Sequence, residues 1–330
     1  GGFAQVLSGK LPGAHGRMVD LKNRQIAYQV AVVAAVLFAI GYLVSNTLAN
    51  LETRRIASGF GFLGREAGFE IGETFFLRYG AHDSYLRALV VGLVNTLSVA
   101  GIGIVLATGL GTLIGLLRLS TNHVLKALCA AYVEFVRNVP LIVQLFFWYA
   151  MITEALPHAR EALEPLPGVF LSNRGIFFPW FNGVPRLEGF NFAGGMGISP
   201  EFAALLVGLV TYTAGFIAEI VRAGVLSIRQ GQWEAARAVG LTHVQALRHV
   251  VLPQALRVIV PPMTSQYLDL TKNSSLAVAI GYPDLVSIAN TTLNQTGQAI
   301  EGISIIMLVY LTISLSISAL MNWYNARVLR

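Results

Sequence analysis

The chain has 330 residues, 55% of them hydrophobic and only 12% charged, with a formal net charge of +6; a soluble domain carries about twice that charged fraction. Its apolar residues gather into runs of about 20 or more, the length that crosses a hydrocarbon core of roughly 30 Å, so the chain reads as a polytopic membrane protein. The lone Cys129 excludes an intramolecular disulfide and a cysteine-based zinc site, and the six histidines are scattered without a ligand spacing.

Six spans are expected, over about residues 26–45, 87–117, 124–153, 201–226, 257–280 and 301–324. The first follows Lys22 and Arg24 and is too long for the apolar part of a signal peptide; no small-residue cleavage site follows it, so it reads as an uncleaved span. A cytoplasmic N-terminus places 13 Lys/Arg on the inner segments (1–25, 118–126, 222–257 and 324–330). The outer segments 46–86, 157–200 and 289–300 are longer in total and carry 7, as the positive-inside rule requires, and both termini then face the cytoplasm. The basic excess is a property of inner loops and calls for no nucleic acid partner.

The second span is longer than the bilayer core and carries Gly111 and Gly115 at a small-xxx-small spacing that lets another helix approach closely. Helix packing is the reading there. No G-x-x-x-x-G-K-[ST] occurs, so the chain has no phosphate cradle of its own. Both long outer segments are rich in Gly and Phe, with Pro concentrated in the second, which argues against regular helices. Phe177, Phe178, Trp180 and Phe181 suit a membrane–water interface, and an interfacial lid is preferred there to direct solute contact.

Between the fourth and fifth spans lies "QGQWEAARAVGLTHVQALRHVVLP" (230–253), polar in an otherwise apolar chain. "QWEAARAV" is a good helix former that ends at Gly240, where a left-handed cap is wanted. Thr242 and Gln245 form a capping box that starts a second helix, expected to run to Leu252-Pro253. Trp233, Ala236 and Gly240 share one side of the first helix; Val244, Leu247 and Val251 make an apolar stripe on the second. Two short amphipathic helices joined by a tight turn make a stiff knob that fits a groove on a partner. A plain solvated loop would be short and lack successive caps. Pro261-Pro262 is expected in the first turn of the next span, where missing N–H groups cost nothing.

Acid–base pairs at i, i+3 occur within or beside the spans: Glu134 with Arg137, Glu219 with Arg222, and Asp269 with Lys272. A charge in the bilayer is costly unless paired or hydrated. Local neutralisation is preferred for Arg222. For Glu134, Asp269 and Lys272, neutralisation and contact with a passing solute stand level, with Asn138, Gln144, Thr264, Gln266 and Asn273 as further polar candidates for a translocation path.

Glu234-Ala235-Ala236, three residues, Gly240, nine residues, Val250, one residue, Leu252-Pro253 resembles the EAA motif of ABC-importer permeases, departing from it only in Val for Ile at 250. The resemblance implies that Trp233, Glu234, Ala235, Ala236, Gly240, Leu241, Thr242 and His243 form the coupling surface for a cytoplasmic ATPase. "VEFVRNVPLIVQLFFWY" (133–149), "AEIVRAGVLSIRQGQWEAARAVGL" (218–241) and "LTKNSSLAVAIG" (270–281) are similar to polar amino acid permeases. The first span and "GFGFLGREAGFEIGE" look like the broad-specificity general L-amino-acid permeases.

That likeness implies an all-α membrane fold of about six spans with a type I importer core. Residues 1–86 would hold the extra first span and 87–326 the core, with an outer insertion at 157–200 and the EAA loop at 227–256. It implies a bacterial inner-membrane location and no enzymatic role. It also implies a second, non-identical permease, two ATPase subunits that hold ATP and Mg, and a periplasmic amino-acid-binding protein, with no cofactor in this chain. An ion-coupled transporter acting alone is disfavoured: no internal repeat is evident and six spans are few. An intramembrane enzyme lacks any H-E-x-x-H.

Overall fold

The computed structural model describes residues 14–53, 58–74 and 76–328; the outermost residues of both expected cytoplasmic termini lie outside these. The chain forms two units, Gly1–Ser58 and Gly59–Arg330. In the first, one helix, α1 (Ala14–Thr53), contains the apolar stretch Arg24–Thr47, long enough to cross a membrane.

The second unit is built around two long helices, α2 (Tyr85–Leu117) and α5 (Pro200–Leu226). Their contact depends on missing side chains. A Cβ placed on Gly111 would lie 2.6 Å from Ile217 Cβ, and one on Gly115 would lie 2.7 Å from the Ala218 carbonyl. The small-residue face read from the sequence is therefore the α2–α5 seam. Gly103 of the same helix faces Leu270, whereas Gly101 and Gly109 face open space. On α5 itself, Gly208, Gly215 and Gly224 admit Leu145, Val136 and Ile259 in turn, so neighbours close around it on several sides.

The span expected over 124–153 is two helices, α3 (His123–Asn138) and α4 (Leu141–Ala150), bent by 105°. Pro140 is the cause: it has no N–H to donate and drives Val139 to φ −90°, ψ 126°, out of the helical region. Gln144, buried, then donates to the carbonyls of Val136 (2.9 Å) and Val139 (3.0 Å) that the break leaves open.

Beyond α5 come α6 (Gln230–Ala238), α7 (His243–Ala246) and α8 (Leu252–Asn273). A 3-10 stretch, Ser274–Ile280, ends at left-handed Gly281, and α9 (Leu285–Thr296) continues at a 52° bend. The fifth span is thus broken, and much of the expected outer loop 289–300 is helix. Pro261 and Pro262 sit inside α8, not in its first turn as expected; Pro253 holds that position. α10 (Ala299–Val328) closes the chain. Among the described residues, four helices are long and apolar enough to cross a membrane, or six when each bent pair counts as one.

Apart from one 3-10 turn at Ala159–Glu161, residues 157–198 are not helical, as their Gly and Pro content leads one to expect, but they are not merely a loop. β1 (Leu163–Leu166), β2 (Val169–Ser172), β3 (Gly175–Phe178) and β6 (Met196–Ile198) make an antiparallel sheet, and β4 (Arg186–Glu188) pairs with β5 (Asn191–Ala193). Phe192 joins the two sheets by packing on Phe170 and Phe177, each at 4.8 Å. Phe177 and Phe178 are therefore half-buried in the insertion, and of the four aromatics singled out in the sequence only Trp180 and Phe181 stay exposed.

Candidate functional site: a doubly capped knob and a polar helix face

The 230–251 segment forms as a knob at the end of α5. α6 ends where Gly240 takes φ +81°. Gly240 N donates to Arg237 O (2.9 Å) and Leu241 N to Ala236 O (3.1 Å), which closes the turn. The capping box is present: Thr242 N donates to Gln245 Oε1 (2.9 Å) and Gln245 N to Thr242 Oγ1 (3.4 Å). Trp233 stacks on His243 with ring centres 4.9 Å apart and planes 15° from parallel, tying α6 to α7 across the turn. Gln254 reaches back from α8 to Gln232 (3.1 Å).

The second helix does not stop at Leu252-Pro253. A π-type turn, Leu247–Val251, joins α7 to α8, so one continuous helical stretch connects the knob to the membrane span. Leu252 N bonds back to Leu247 O, the wider i to i−5 register that makes room before a residue with no N–H. α7, the π turn and α8 thereby form one uninterrupted run of helical backbone.

Ala236, Ala246 and Val251 are buried beneath the knob, while Glu234, Ala235, Thr242 and His243 are exposed. Val239 and Val244, 75% and 70% exposed, add two outward apolar side chains to the same segment. Of the apolar stripe read on the second helix, only Val251 is fully buried; Val244 faces outward. Among the described residues Glu234 has no ion-pair partner within 4 Å. Among the described residues, nothing pairs with this carboxylate or covers the two valines.

Just above the knob, Glu219 pairs with Arg222 (2.5 Å), as its spacing implies, and also with Arg118 at the end of α2. The triad fastens α2 to α5 where α5 leaves for the knob. The other two expected pairs do not form. Glu134 is exposed, its backbone carbonyl accepts from Asn138 Nδ2 (2.7 Å), and Arg137 lies over the Phe216 ring at 5.1 Å. Asp269 and Lys272 are exposed without an ion pair among the described residues.

On α8, Pro261, Ser265, Asp269 and Lys272 are exposed at i, i+4, i+8 and i+11, one face of the helix. Thr264, Gln266 and Asn273 flank that face and are half-buried. A charged stripe on a helix of membrane-spanning length is stable only against water or another protein surface. Gln144 does not belong with this set, because its amide is used in the α3–α4 break.

At the end of α5 opposite the knob, a cavity of about 420 Å³ is lined by Glu70, Glu73, Ser199, Glu201, Ser287 and Thr291 among others. Ser199 caps α5 by accepting Phe202 N (3.0 Å), and its hydroxyl donates to Glu73 Oε2 (2.5 Å). Tyr149 donates to Glu201 Oε1 (3.1 Å). Burial raises Glu73 to about 7; the Ser199 hydrogen bond opposes this and the Glu201 charge adds to it. These residues escaped the sequence reading because Glu73 and Ser199 are 126 positions apart and share no motif.

Residues 86–330 match the family model described as binding-protein-dependent transport system inner membrane component. The chain belongs to this family and is a permease subunit of an ABC transporter. It is 44% identical to YhdX of Escherichia coli (strain K12) over 91% of this chain and 93% of that one. It is 40% identical to the general L-amino acid transport system permease protein AapQ of Rhizobium johnstonii, over 94% of each. Among solved structures, one titled as an amino acid ABC transporter with histidines superposes with a TM-score of 0.55 at 27% identity, covering 74% of this chain and 95% of that one.

Proposed function

We propose that this chain forms half of the translocation path of an ATP-driven importer of amino acids, and that it receives the force of ATP binding through the 230–251 knob. The observation that carries this reading is the knob itself: it is capped at both helices, cross-braced by Trp233 on His243, exposed at Glu234, and continuous through a π turn with α8. A helix pair built this stiffly, with an unpaired carboxylate and two exposed valines, suits a groove on a partner subunit. The likeness to AapQ over nearly the whole chain supports L-amino acids as the solutes.

In this reading the knob faces the cytoplasm, as do both termini, and two ATPase subunits carry the ATP and Mg that this chain does not hold. A second permease covers the polar face of α8, so that Ser265, Asp269 and Lys272 border the path between subunits. A binding protein delivers the amino acid to the opposite face, near the β insertion. Closure of the ATPases moves α6 and α7 together, and α8 follows.

Reconstitution with the partner subunits in proteoliposomes tests this. ATP-dependent accumulation of amino acids is expected and should vanish with a hydrolysis-dead ATPase. Uptake that persists with that ATPase, driven by an ion gradient, would overturn the reading.

A further inference from the structure

Where the fifth span breaks, polar atoms are buried without partners. Asp284 is fully buried and caps α9: its Oδ1 accepts Ser287 N (2.8 Å), but Oδ2 has no hydrogen-bond partner. Asn95 Oδ1, on a fully buried side chain of α2, and Tyr310 Oη, on α10, are in the same condition. The orientation of Asn95 is fixed, since its Nδ2 donates to the carbonyls of Glu73 and Pro283, both at 2.9 Å.

The side chains that carry these oxygens surround the turn Pro283–Leu285. Asn95 grips Pro283, and Thr96 Oγ1 accepts Leu285 N (3.1 Å). Tyr310 neighbours Asp284, Thr96 and Ser274. Gly92 lets α2 approach this closely, because a Cβ there would stand 2.9 Å from Leu285 Cα. No cation of the protein reaches the site: among the described residues Asp284 has no ion pair. The other charge near Tyr282, which borders Asp284, is the carboxylate of Glu73.

We propose that this cluster binds one monovalent alkali cation, through Asp284 Oδ2, Tyr310 Oη and Asn95 Oδ1, with the hydroxyls of Thr96 and Ser274 beside them. A buried carboxylate oxygen with no donor costs several kcal/mol unless a cation or a proton occupies it, and the neutral oxygens beside Asp284 are ligands for a cation. Every available donor atom is a neutral or anionic oxygen, the ligand set of a hard cation; His and Cys, which would select a transition metal, are missing from it. With one carboxylate the site balances a single charge, which suits Na⁺ better than Ca²⁺ or Mg²⁺.

The location agrees with the chemistry. In broken membrane helices, unwound backbone carbonyls and the C-terminal ends of half-helices commonly hold Na⁺, and a carboxylate at the opposing half-helix N-terminus offsets the positive dipole of that end. Here the 3-10 stretch ends at Gly281 and α9 starts at Leu285. The cation would join α2, α9 and α10 at the end of the molecule remote from the knob. This goes beyond the importer reading and does not depend on it.

The test is ²²Na⁺ binding and thermal unfolding of the full chain in lipid nanodiscs, with choline chloride holding ionic strength constant. About one Na⁺ per chain should bind saturably, and Na⁺ but not choline should raise the unfolding midpoint. Asp284→Asn keeps the helix cap and should lose both effects; Tyr310→Phe should weaken binding about tenfold, roughly 1.4 kcal/mol. If Asp284→Asn does not fold, the wild-type titration and Tyr310→Phe decide alone. No Na⁺ binding, with a midpoint that responds to pH and not to Na⁺, would mean that a proton on Asp284 satisfies the site and would overturn the proposal. ATP-driven uptake, measured separately, stands or falls without reference to either result.

Discussion

Replacing Gly240 by valine isolates the backbone of the knob from its contacts. Gly240 sits at φ +81° and a Cβ there meets nothing within 4 Å, so the whole effect is conformational. A left-handed backbone costs an ordinary L-residue about 1–2 kcal/mol and a β-branched one more, within the roughly 1–3 kcal/mol of strained positions. If the turn opens instead, the bonds from Gly240 N and Leu241 N are at risk, each about 0.5–1.5 kcal/mol net. Either route gives about 1–3 kcal/mol against the closed turn, roughly 5- to 140-fold in its equilibrium constant. ATP-driven uptake in proteoliposomes should fall by about fivefold or more for Gly240→Val, with Gly240→Ala between it and the wild type. Membrane abundance should hold, because insertion depends on the apolar spans. Gly231→Ala, in α6 with a free Cβ position and no left-handed φ, is the control and should be neutral or slightly stabilising. Wild-type uptake by Gly240→Val at normal abundance would refute the claim that the knob needs this turn.

Further predictions concern the supports of the fold. Gln144→Leu keeps the volume but leaves the carbonyls of Val136 and Val139 without a donor; at about 1–3 kcal/mol for each buried orphan, thermal stability in detergent should drop by several degrees. Glu219→Gln removes the shared partner of Arg118 and Arg222, and because the triad is partly exposed the loss should be only about 1–2 kcal/mol, read as weaker coupling of ATP hydrolysis to uptake. For Glu73, the folded value of about 7 lies above the ordinary 4.5, so the fold favours the protonated form. Its contribution is full below pH 4.5 and is lost as pH rises through 7. Unfolding midpoints of wild type should therefore fall from pH 5 to pH 8 by more than those of Glu73→Gln, and equal pH profiles would contradict this.

Local signals were legible in the sequence. Gly240, Thr242 and Gln245 announced the turn and the capping box because caps act within a few residues, and the spacing of Gly111 and Gly115 announced a close helix contact. Pro140 held the signal for the α3–α4 break, but the apolar run on both sides hid it. Pro261 and Pro262 misled in the other direction: a helix absorbed them in its interior, where only neighbours in space decide the outcome. The strands of the insertion have three or four residues, too few to establish a period. Least legible were the pairings made by folding alone, Arg118 with Glu219 across 101 positions and Glu73 with Ser199 across 126. Nothing local marks either partner.

The central claim is that force from the ATPases enters this chain at the knob. It is tested most directly by placing a photoreactive residue at Ala235, exposed on α6, and following its cross-links in the assembled transporter through the ATP cycle. The account predicts a cross-link to the ATPase subunit in every state, while cysteine pairs placed between Val239 and that subunit change reactivity when ATP binds. A complex that assembles and transports with no cross-link from Ala235 to the ATPase would contradict it.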